Sequence, residues 1–219
     1  MPDHGASGYT AWEAAALVAA IFIAFAFLHS LCVMSRVKGL MRRLLGDAFV
    51  RAFYRLLYTV FSVLTTAAAV YLITLVPDHH IFRGPAWFRW PMHGAQAAGL
   101  LIGLLSFNAV RPLEFVGLAQ AWRYIARRRV AGDAEGLTGA FLVKTGMYSV
   151  VRHPLYLAGI IIFTFEPNIT RNWLTVSVLA DLYFIYGALA EERRLLARFG
   201  DEYKRYMEEV PRFLPRLRR

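Results

Sequence analysis

Hydrophobic positions in this chain fall in long unbroken runs, separated by short segments in which basic and apolar residues alternate at helical spacing. The runs cover residues 12–33, 54–76, 92–110, 154–165 and 173–189. A helix needs about 20 residues to cross a bilayer. The first three windows satisfy that, and the fourth reaches it only with its lead-in at 146–151. Glu166-Pro167-Asn168 separates the fourth window from the fifth, so the two predict one tight helical hairpin. The pattern predicts an all-α integral membrane protein with about five transmembrane helices, the last two forming that hairpin, plus cytoplasmic interfacial helices. The first run has no basic flank before it and no evident small-residue cleavage site, so it is expected to be a retained helix rather than a signal peptide.

The segments between the runs carry a different period. In 36–55, Val37, Leu40, Leu44 and Leu45 recur among basic residues, which predicts a short helix lying on the membrane surface. Gly46-Asp47 breaks it. The stretch 116–146 is the one sizeable loop. In it, Gln120-Ala121-Trp122-Arg123-Tyr124 with Arg127-Arg128-Arg129 predicts an interfacial helix, because Trp and Tyr favour the headgroup level. Gly132-Asp133 and Glu135-Gly136 predict a polar, turn-rich link. Residues 191–210 are amphipathic, with Leu195, Leu196, Phe199, Tyr203, Tyr206 and Met207 at three- and four-residue steps. Pro211 ends them.

Composition agrees with lipid. The chain is 58% hydrophobic, with a mean hydropathy of +0.42, too apolar for an ordinary soluble domain. Its net charge is +10, but the distribution points away from nucleic acid. Alternate inter-window segments hold 22 and 3 of the 25 Lys and Arg residues. That asymmetry places the N-terminus outside and the C-terminus in the cytoplasm, and it accounts for the basic excess by topology and anionic headgroups. No stacking platform or recognition helix accompanies the charge, so no nucleic-acid partner is expected. The single cysteine, Cys32, excludes an internal disulfide and any multi-cysteine metal site.

The chemistry-bearing residues cluster in the last third. Arg152-His153-Pro154-Leu155-Tyr156 precedes the fourth window and Glu191-Glu192 follows the fifth. A hairpin would bring both to the cytoplasmic face, where ionisable groups need partners or a ligand. Two accounts stay open on residue types alone. One is a pocket for a polar, zwitterionic ligand, with Arg152 on a carboxylate and a Glu on hydroxyls or an ammonium. The other is an interfacial ion cluster, with Arg152 paired to a Glu and Pro154 simply starting a helix. There is no phosphate-binding Gly-rich loop and no G-x-S-x-G. His79-His80 is read as a hydrated outer loop, and no metal is expected. Asp181, in mid-window, is expected to have a structural partner such as a Tyr, a Trp or a backbone group, with a place on the acceptor side as the alternative. His29, Cys32 and Asn108 either pack helices or line an acceptor cavity.

Lys144-Thr145-Gly146-Met147-Tyr148, Val151-Arg152-His153-Pro154-Leu155-Tyr156, Glu191-Glu192, Phe199-Gly200-x-x-Tyr203-x-x-Tyr206 and Val210-Pro211-Arg212 occur in that order. Across roughly 115–215 they resemble the membrane methyltransferases typified by isoprenylcysteine carboxyl methyltransferase. Phospholipid N-methyltransferases and methanethiol S-methyltransferase share the pattern. More weakly, His29-Ser30, Val37-Lys38 and Tyr54-Arg55 through Phe61-Ser62 resemble NnrU-like and methanethiol S-methyltransferase-type proteins. The resemblance implies an S-adenosylmethionine site lined by Lys144, Gly146, Tyr148, His153, Pro154, Tyr156, Glu191 and Glu192, with Leu196 and Tyr203 packing it. It implies Arg152, Arg212 and Glu192 as the catalytic candidates, the two arginines facing the acceptor or the cofactor carboxylate.

One departure is visible. The family usually has Gly two residues after the motif Tyr, where this chain has Ala158 followed by Gly159. The implied division is 1–115 for three N-terminal helices and their basic loop, and 116–219 for the cofactor-binding region. The implied reaction is direct in-line transfer to a small or lipophilic acceptor, with a thiol favoured and a prenylcysteine carboxylate or lipid amine as alternatives. A membrane sterol-type reductase using NADPH shares the Arg-His-Pro-x-Tyr and Val-Pro elements, but Glu191-Glu192 and the short chain argue against it. A non-catalytic NnrU-like partner is the third reading.

Overall fold

The computed structural model describes residues 10–109, 111–128, 130 and 142–215. In chain order come helices α1 (Ala11–Val33), α2 (Ser35–Leu45) and α3 (Asp47–Thr74), then strand β1 (His80–Arg83). Helices α4 (Ala86–Ala109), α5 (Pro112–Phe115) and α6 (Leu118–Ile125) follow, then a 3-10 turn (Gly146–Ser149) and helix α7 (Pro154–Thr164). Strand β2 (Asn168–Thr170) and helices α8 (Arg171–Phe199) and α9 (Asp201–Glu209) complete the described chain. The polar link expected at 132–136 lies outside the described residues.

Among the described residues α1, α3 and α8 are long and apolar enough to cross a membrane, at 23, 28 and 29 residues. Helix α4 has the length, 24 residues, but His93, Gln96 and Asn108 dilute its apolar surface. Helix α7 has only 11 residues, because the lead-in at 146–151 folds as a 3-10 turn and adds no helix to it. Local signals set the ends. Thr10 and Glu13 form a capping box at the start of α1, with Thr10 N donating to Glu13 Oε2 at 2.6 Å and Glu13 N to Thr10 Oγ1 at 3.3 Å. The Thr170 hydroxyl caps α8 by accepting from Trp173 N at 3.1 Å.

The chain divides into two compact units. The first takes Met1–Ala20, Val76–Ala109 and Leu142–Arg219, and the second Ile21–Leu75 and Val110–Phe141, so the continuous helix α1 contributes to both. In the second unit, Gly46 separates the basic amphipathic helix α2 from α3, as the spacing predicts. Tyr54 donates to the Cys32 carbonyl at 2.5 Å, and the Tyr58 hydroxyl meets His29 Nε2 at 2.5 Å. Arg55 holds the α5 end through the Phe115 carbonyl, its guanidinium lying 4.5 Å from the Phe115 ring centroid. Phe53 meets Tyr124 edge-on at 5.4 Å, which seats α6 on α3.

In the first unit, β1 and β2 pair antiparallel, with His80 opposite Thr170, Phe82 opposite Ile169 and Arg83 opposite Asn168. The sequence reading expected only loop at 79–80. The pairing is short and irregular, and its side chains in β1 are all exposed, so no alternating pattern announces it. Asn172 braces this end, donating from Nδ2 to the Val76 carbonyl and from its backbone N to Asp78 Oδ1, each at 3.0 Å.

Helix α7 packs on α4 through Gly99 against Ile161, and Gln96 Nε2 donates to the Ile162 carbonyl at 3.1 Å. It also packs on α8, less extensively. The Phe163 carbonyl accepts from Trp173 Nε1 at 3.1 Å and from the Ser177 hydroxyl at 2.9 Å. Thr164 donates to Asp181 Oδ2 at 2.7 Å; Asp181 has the structural partner expected of it, a threonine in place of the Tyr, Trp or backbone group proposed.

Two boundaries differ from expectation at the end of the chain. Helix α8 does not stop at 189 but continues to Phe199, so Glu191 and Glu192 lie inside it. The amphipathic stretch 191–210 is not one helix either. Gly200, at φ 53°, turns the chain in a left-handed conformation that favours glycine and starts α9 in a new direction.

Candidate active site

Glu192 is the hub of a buried ionic cluster in the first unit. Its side chain is 7% exposed. Oε1 accepts from Arg152 Nε at 3.0 Å, Arg152 Nη2 at 2.7 Å and Arg212 Nε at 3.1 Å, and it lies 3.2 Å from His153 Nε2. Oε2 accepts from Arg212 Nη2 at 2.6 Å. Arg152 spends its Nη1 donors on two carbonyls at the end of α9, Met207 at 3.0 Å and Val210. Backbone bonds run in parallel, Arg152 N to Pro211 O at 2.8 Å and His153 N to Arg212 O at 3.2 Å. The segment before α7, the C-terminal third of α8 and the strap after α9 are therefore tied at one point.

The local sequence explains why Glu192 is the buried member of the pair. Ala188, Leu195, Leu196 and Phe199 share its helical face. Leu195, Leu196 and Phe199 pack, with Met207, on the core of Tyr203, Tyr206 and Val210. Glu191 is turned about 100° away, beside Gly187, Arg194 and Arg198. Its side chain is 37% exposed and its Oε2 lies 3.7 Å from His153 Nδ1. Tyr156 hydrogen-bonds to it, and a Cβ at Gly187 would lie 3.7 Å from the Tyr156 ring.

Burial pushes the His153 imidazole below its ordinary pKa, with Glu191 and Glu192 pulling the other way. The ring is neutral near pH 7, and the network assigns its proton to Nε2, donating to Glu192. Glu192 beside Arg212 raises that guanidinium further. Burial pushes the Tyr206 hydroxyl up to about 12, and it donates to the Tyr148 carbonyl at 2.6 Å, anchoring the 3-10 turn to α9. Tyr148 is also shifted upward, by burial and then by Glu191.

The residues singled out from sequence separate by duty. Arg152, His153, Glu191, Glu192, Tyr156 and Arg212 converge. Pro154 is fully buried at the first position of α7, where a missing N–H leaves nothing unsatisfied. Gly146 opens the 3-10 turn at φ 62°, and a Cβ there would meet nothing within 4 Å. Lys144 is spent on Glu202 at 2.8 Å. Leu196 packs on the core that Tyr203 forms with Tyr206 and Val210, and Tyr203 is 1% exposed. Asn108 is exposed, while His29 and Cys32 belong to the second unit.

The sequence reading missed the carbonyls of Met207 and Val210, which no residue type can announce. It also missed Phe213, whose ring lies 6.0 Å from His153. Its place directly after Val210-Pro211-Arg212 was the available signal.

Among the described residues no group of His, Cys, Asp and Glu is arranged to hold a metal ion. No family model matches the chain, and no solved structure does. Curated proteins do match. The chain is 27% identical over 198 residues to methanethiol S-methyltransferase 2 of Bradyrhizobium diazoefficiens, spanning 88% of this chain and 70% of that protein. It is 28% identical over 218 residues to methanethiol S-methyltransferase of a Pseudomonas species, spanning 94% and 75%. Nickel-cobalt-cadmium resistance protein NccN of Alcaligenes xylosoxydans xylosoxydans is 28% identical over 151 residues, 68% of this chain and 61% of that protein. Likeness to methanethiol S-methyltransferases along most of both chains, together with the apolar helices, makes this chain a membrane methyltransferase.

Proposed function

We propose that this chain transfers the methyl group of S-adenosylmethionine to a small thiol such as methanethiol, at the cytoplasmic face of a membrane. The observation that carries the reading is the split between two adjacent carboxylates. Glu192 is saturated by basic groups within the fold, whereas Glu191 is presented, half-exposed, beside His153 and Tyr156. The methyltransferase relatives supply the reaction class. They do not favour an NADPH-dependent reductase.

The residues fit such a donor. Gly146 leaves open space where a side chain would project, so ligand atoms can approach the backbone. The Tyr203 hydroxyl is buried with no hydrogen-bond partner among the described residues, a polar group still able to take one. Gly146, Tyr148, His153, Tyr156 and Glu191 would hold the group, Glu191 accepting from hydroxyls or an ammonium. Lys144, Pro154, Leu196 and Tyr203 would shape the pocket around them. When bound, S-adenosylmethionine supplies a methyl on a sulfonium sulfur, which needs alignment with an anionic acceptor and exclusion of water.

The chain's own work is then positional and electrostatic. Glu192 fixes the His153 ring and aims Arg212. The Arg212 guanidinium, 37% exposed, favours the thiolate form of a thiol placed near it, and the acceptor proton leaves to water. Arg152 acts through Glu192 as a positioning residue.

We read the topology as five passes, with α7 and α8 as a hairpin, the N-terminus outside and the C-terminus inside. Residues 116–219 carry the donor site. The Lys and Arg asymmetry supports this orientation. Two measurements on the detergent-solubilised chain test the function. Isothermal titration with S-adenosylmethionine and its demethylated product must give saturable binding, lost in Glu191→Ala. A screen with labelled methyl donor must favour small thiols over prenylcysteines and aminolipids. No saturable donor binding would end the reading, and preference for a prenylcysteine or lipid amine would replace the acceptor.

A further inference from the structure

The second unit contains a cavity of about 200 Å³, larger than the roughly 150 Å³ apolar void that admits benzene. Val37, Met41 and Leu45, on successive turns of one face of α2, line it. Helix α3 lines it at helical spacing too, with Tyr54, Leu57 and Phe61, and Cys32 near the end of α1 contributes. None of the ten lining residues is charged. The hydroxyls of Tyr54 and Tyr58 are already engaged, by the Cys32 carbonyl and by His29. An ion or a strong hydrogen-bonding group would therefore leave water here and gain no replacement. Leu45, Phe49 and Leu57 line the cavity and are also exposed, so its mouth is apolar and suits a molecule arriving from lipid.

The walls select further. Four of the ten lining residues, Phe49, Tyr54, Tyr58 and Phe61, are aromatic, and sulfur makes favourable contacts with aromatic rings. A thiol is only a weak donor and a thioether only a weak acceptor, so neither misses the hydrogen-bond partner that the cavity lacks. We propose that this cavity binds a small uncharged organosulfur compound, a thiol or a thioether, of about six non-hydrogen atoms. The proposal rests on the reading of the chain as a thiol methyltransferase and extends its acceptors to thiols larger than methanethiol. A thiol held among apolar side chains stays protonated, because such a site disfavours the thiolate. The cavity is then a holding site for the neutral acceptor or its thioether product, and transfer takes place elsewhere, beside a cation.

The full chain in dodecyl maltoside micelles is titrated with diethyl sulfide, pentane or diethyl ether, which share one shape and differ at the central atom. Two readouts are followed. One is the rate of maleimide reaction at Cys32, the chain's only thiol, which lines the cavity. The other is the melting midpoint, which binding to the folded chain raises. Pentane meets much the same hydrocarbon in the cavity as in the micelle, so diethyl sulfide should act half-maximally at about two- to tenfold lower mole fraction. Diethyl ether, whose oxygen gains no hydrogen bond there, should show no such lead. L57W, at the exposed mouth, should abolish both effects of the sulfide. F49L/F61L keeps the lining apolar, removes two of the four rings and should shrink the sulfide's lead over pentane. Equal half-points for sulfide and pentane, or a lead unchanged in F49L/F61L, would overturn the sulfur preference and leave a hydrocarbon such as a lipid tail as the occupant. No saturable effect of any of the three, or an effect unchanged in L57W, would overturn the site itself. Neither readout involves the methyl donor, so failure here leaves donor binding by calorimetry intact, and failure of donor binding leaves this titration standing.

Discussion

Glu191 and Glu192 are adjacent and identical in type, so the isosteric changes Glu191→Gln and Glu192→Gln isolate what their surroundings do. At Glu192 the amide keeps one acceptor oxygen, so the Oε1 bonds weaken instead of vanishing. The Oε2 partner, Arg212 Nη2, now faces an NH₂ group. The larger loss is charge. Arg152 is 7% exposed and would remain buried beside two carbonyls with no counter-ion. Removing one partner of a buried pair costs about 3–5 kcal/mol. The Arg212 half adds little, because a guanidinium one-third exposed is screened by water. For a chain of this length, each kcal/mol moves the melting midpoint by roughly 2–4 °C, so Glu192→Gln should lower it on the order of 10 °C. Glu191→Gln touches an exposed carboxylate and should stay within about 0.5 kcal/mol, while weakening S-adenosylmethionine binding ten- to hundredfold, roughly the worth of one charge-assisted hydrogen bond. Thermal melts followed by circular dichroism in one detergent, with titration calorimetry on the same preparations, separate the two quantities. Equal falls in midpoint for both variants would refute the assignment of structure to Glu192 and ligand to Glu191.

Three further outcomes rest on individual contacts. The folded pKa of His153 is depressed, so the unfolded chain binds more protons below about 6.5. Stability is full above that value and falls as pH drops through the folded pKa. Melting midpoints between about pH 7.5 and 5.5 should show this slope, and an undiminished slope in His153→Gln would assign it to another group. Gly159→Ala places a Cβ 2.6 Å from the Phe184 ring and should cost about 1–3 kcal/mol, relieved when Phe184→Leu is added; a single variant melting like the parent would mean the α7–α8 contact is looser than drawn. Tyr206→Phe removes the 2.6 Å bond to the Tyr148 carbonyl and should cost about 1 kcal/mol. It should also weaken donor binding through the freed 3-10 turn, and unchanged titration curves would show that the turn holds itself.

Much of this architecture was legible in the chain because the bilayer imposes long, unbroken hydrophobic runs that few other folds need. Helix α1 was placed to within one residue at each end counted by the window 12–33, and the α2 break at Gly46 was read correctly. The ends of α8 were not. Hydropathy reports where lipid stops, at about residue 189, whereas the helix continues as long as one face still has protein to pack on. Leu195, Leu196 and Phe199 supply that face. The β1–β2 pairing was invisible for the opposite reason: three paired positions, uniformly exposed in β1 and uniformly half-buried in β2, carry no period.

The site was half legible, and the missing half shows what a motif can and cannot say. The Arg-His-Pro and Glu-Glu elements named groups that the fold brings together but left the roles within each pair undetermined. For the glutamates a signal was present and unused. Residues four before and three, four and seven after Glu192 are Ala188, Leu195, Leu196 and Phe199, an apolar stripe that must bury whatever lies in its middle. The same offsets from Glu191 give Gly187, Arg194, Leu195 and Arg198, a face with charge on it. A carboxylate in the first setting needs fixed cations, and Arg152 and Arg212 are those cations. Arg152 therefore cannot also grip a ligand carboxylate without releasing Glu192, and four of its five N–H donors are already engaged. That leaves the partly exposed Arg212 as the cation able to act outward, and Glu191 as its anionic counterpart. The donor pocket we propose is framed by the outward members of two pairs whose inward members hold the chain together.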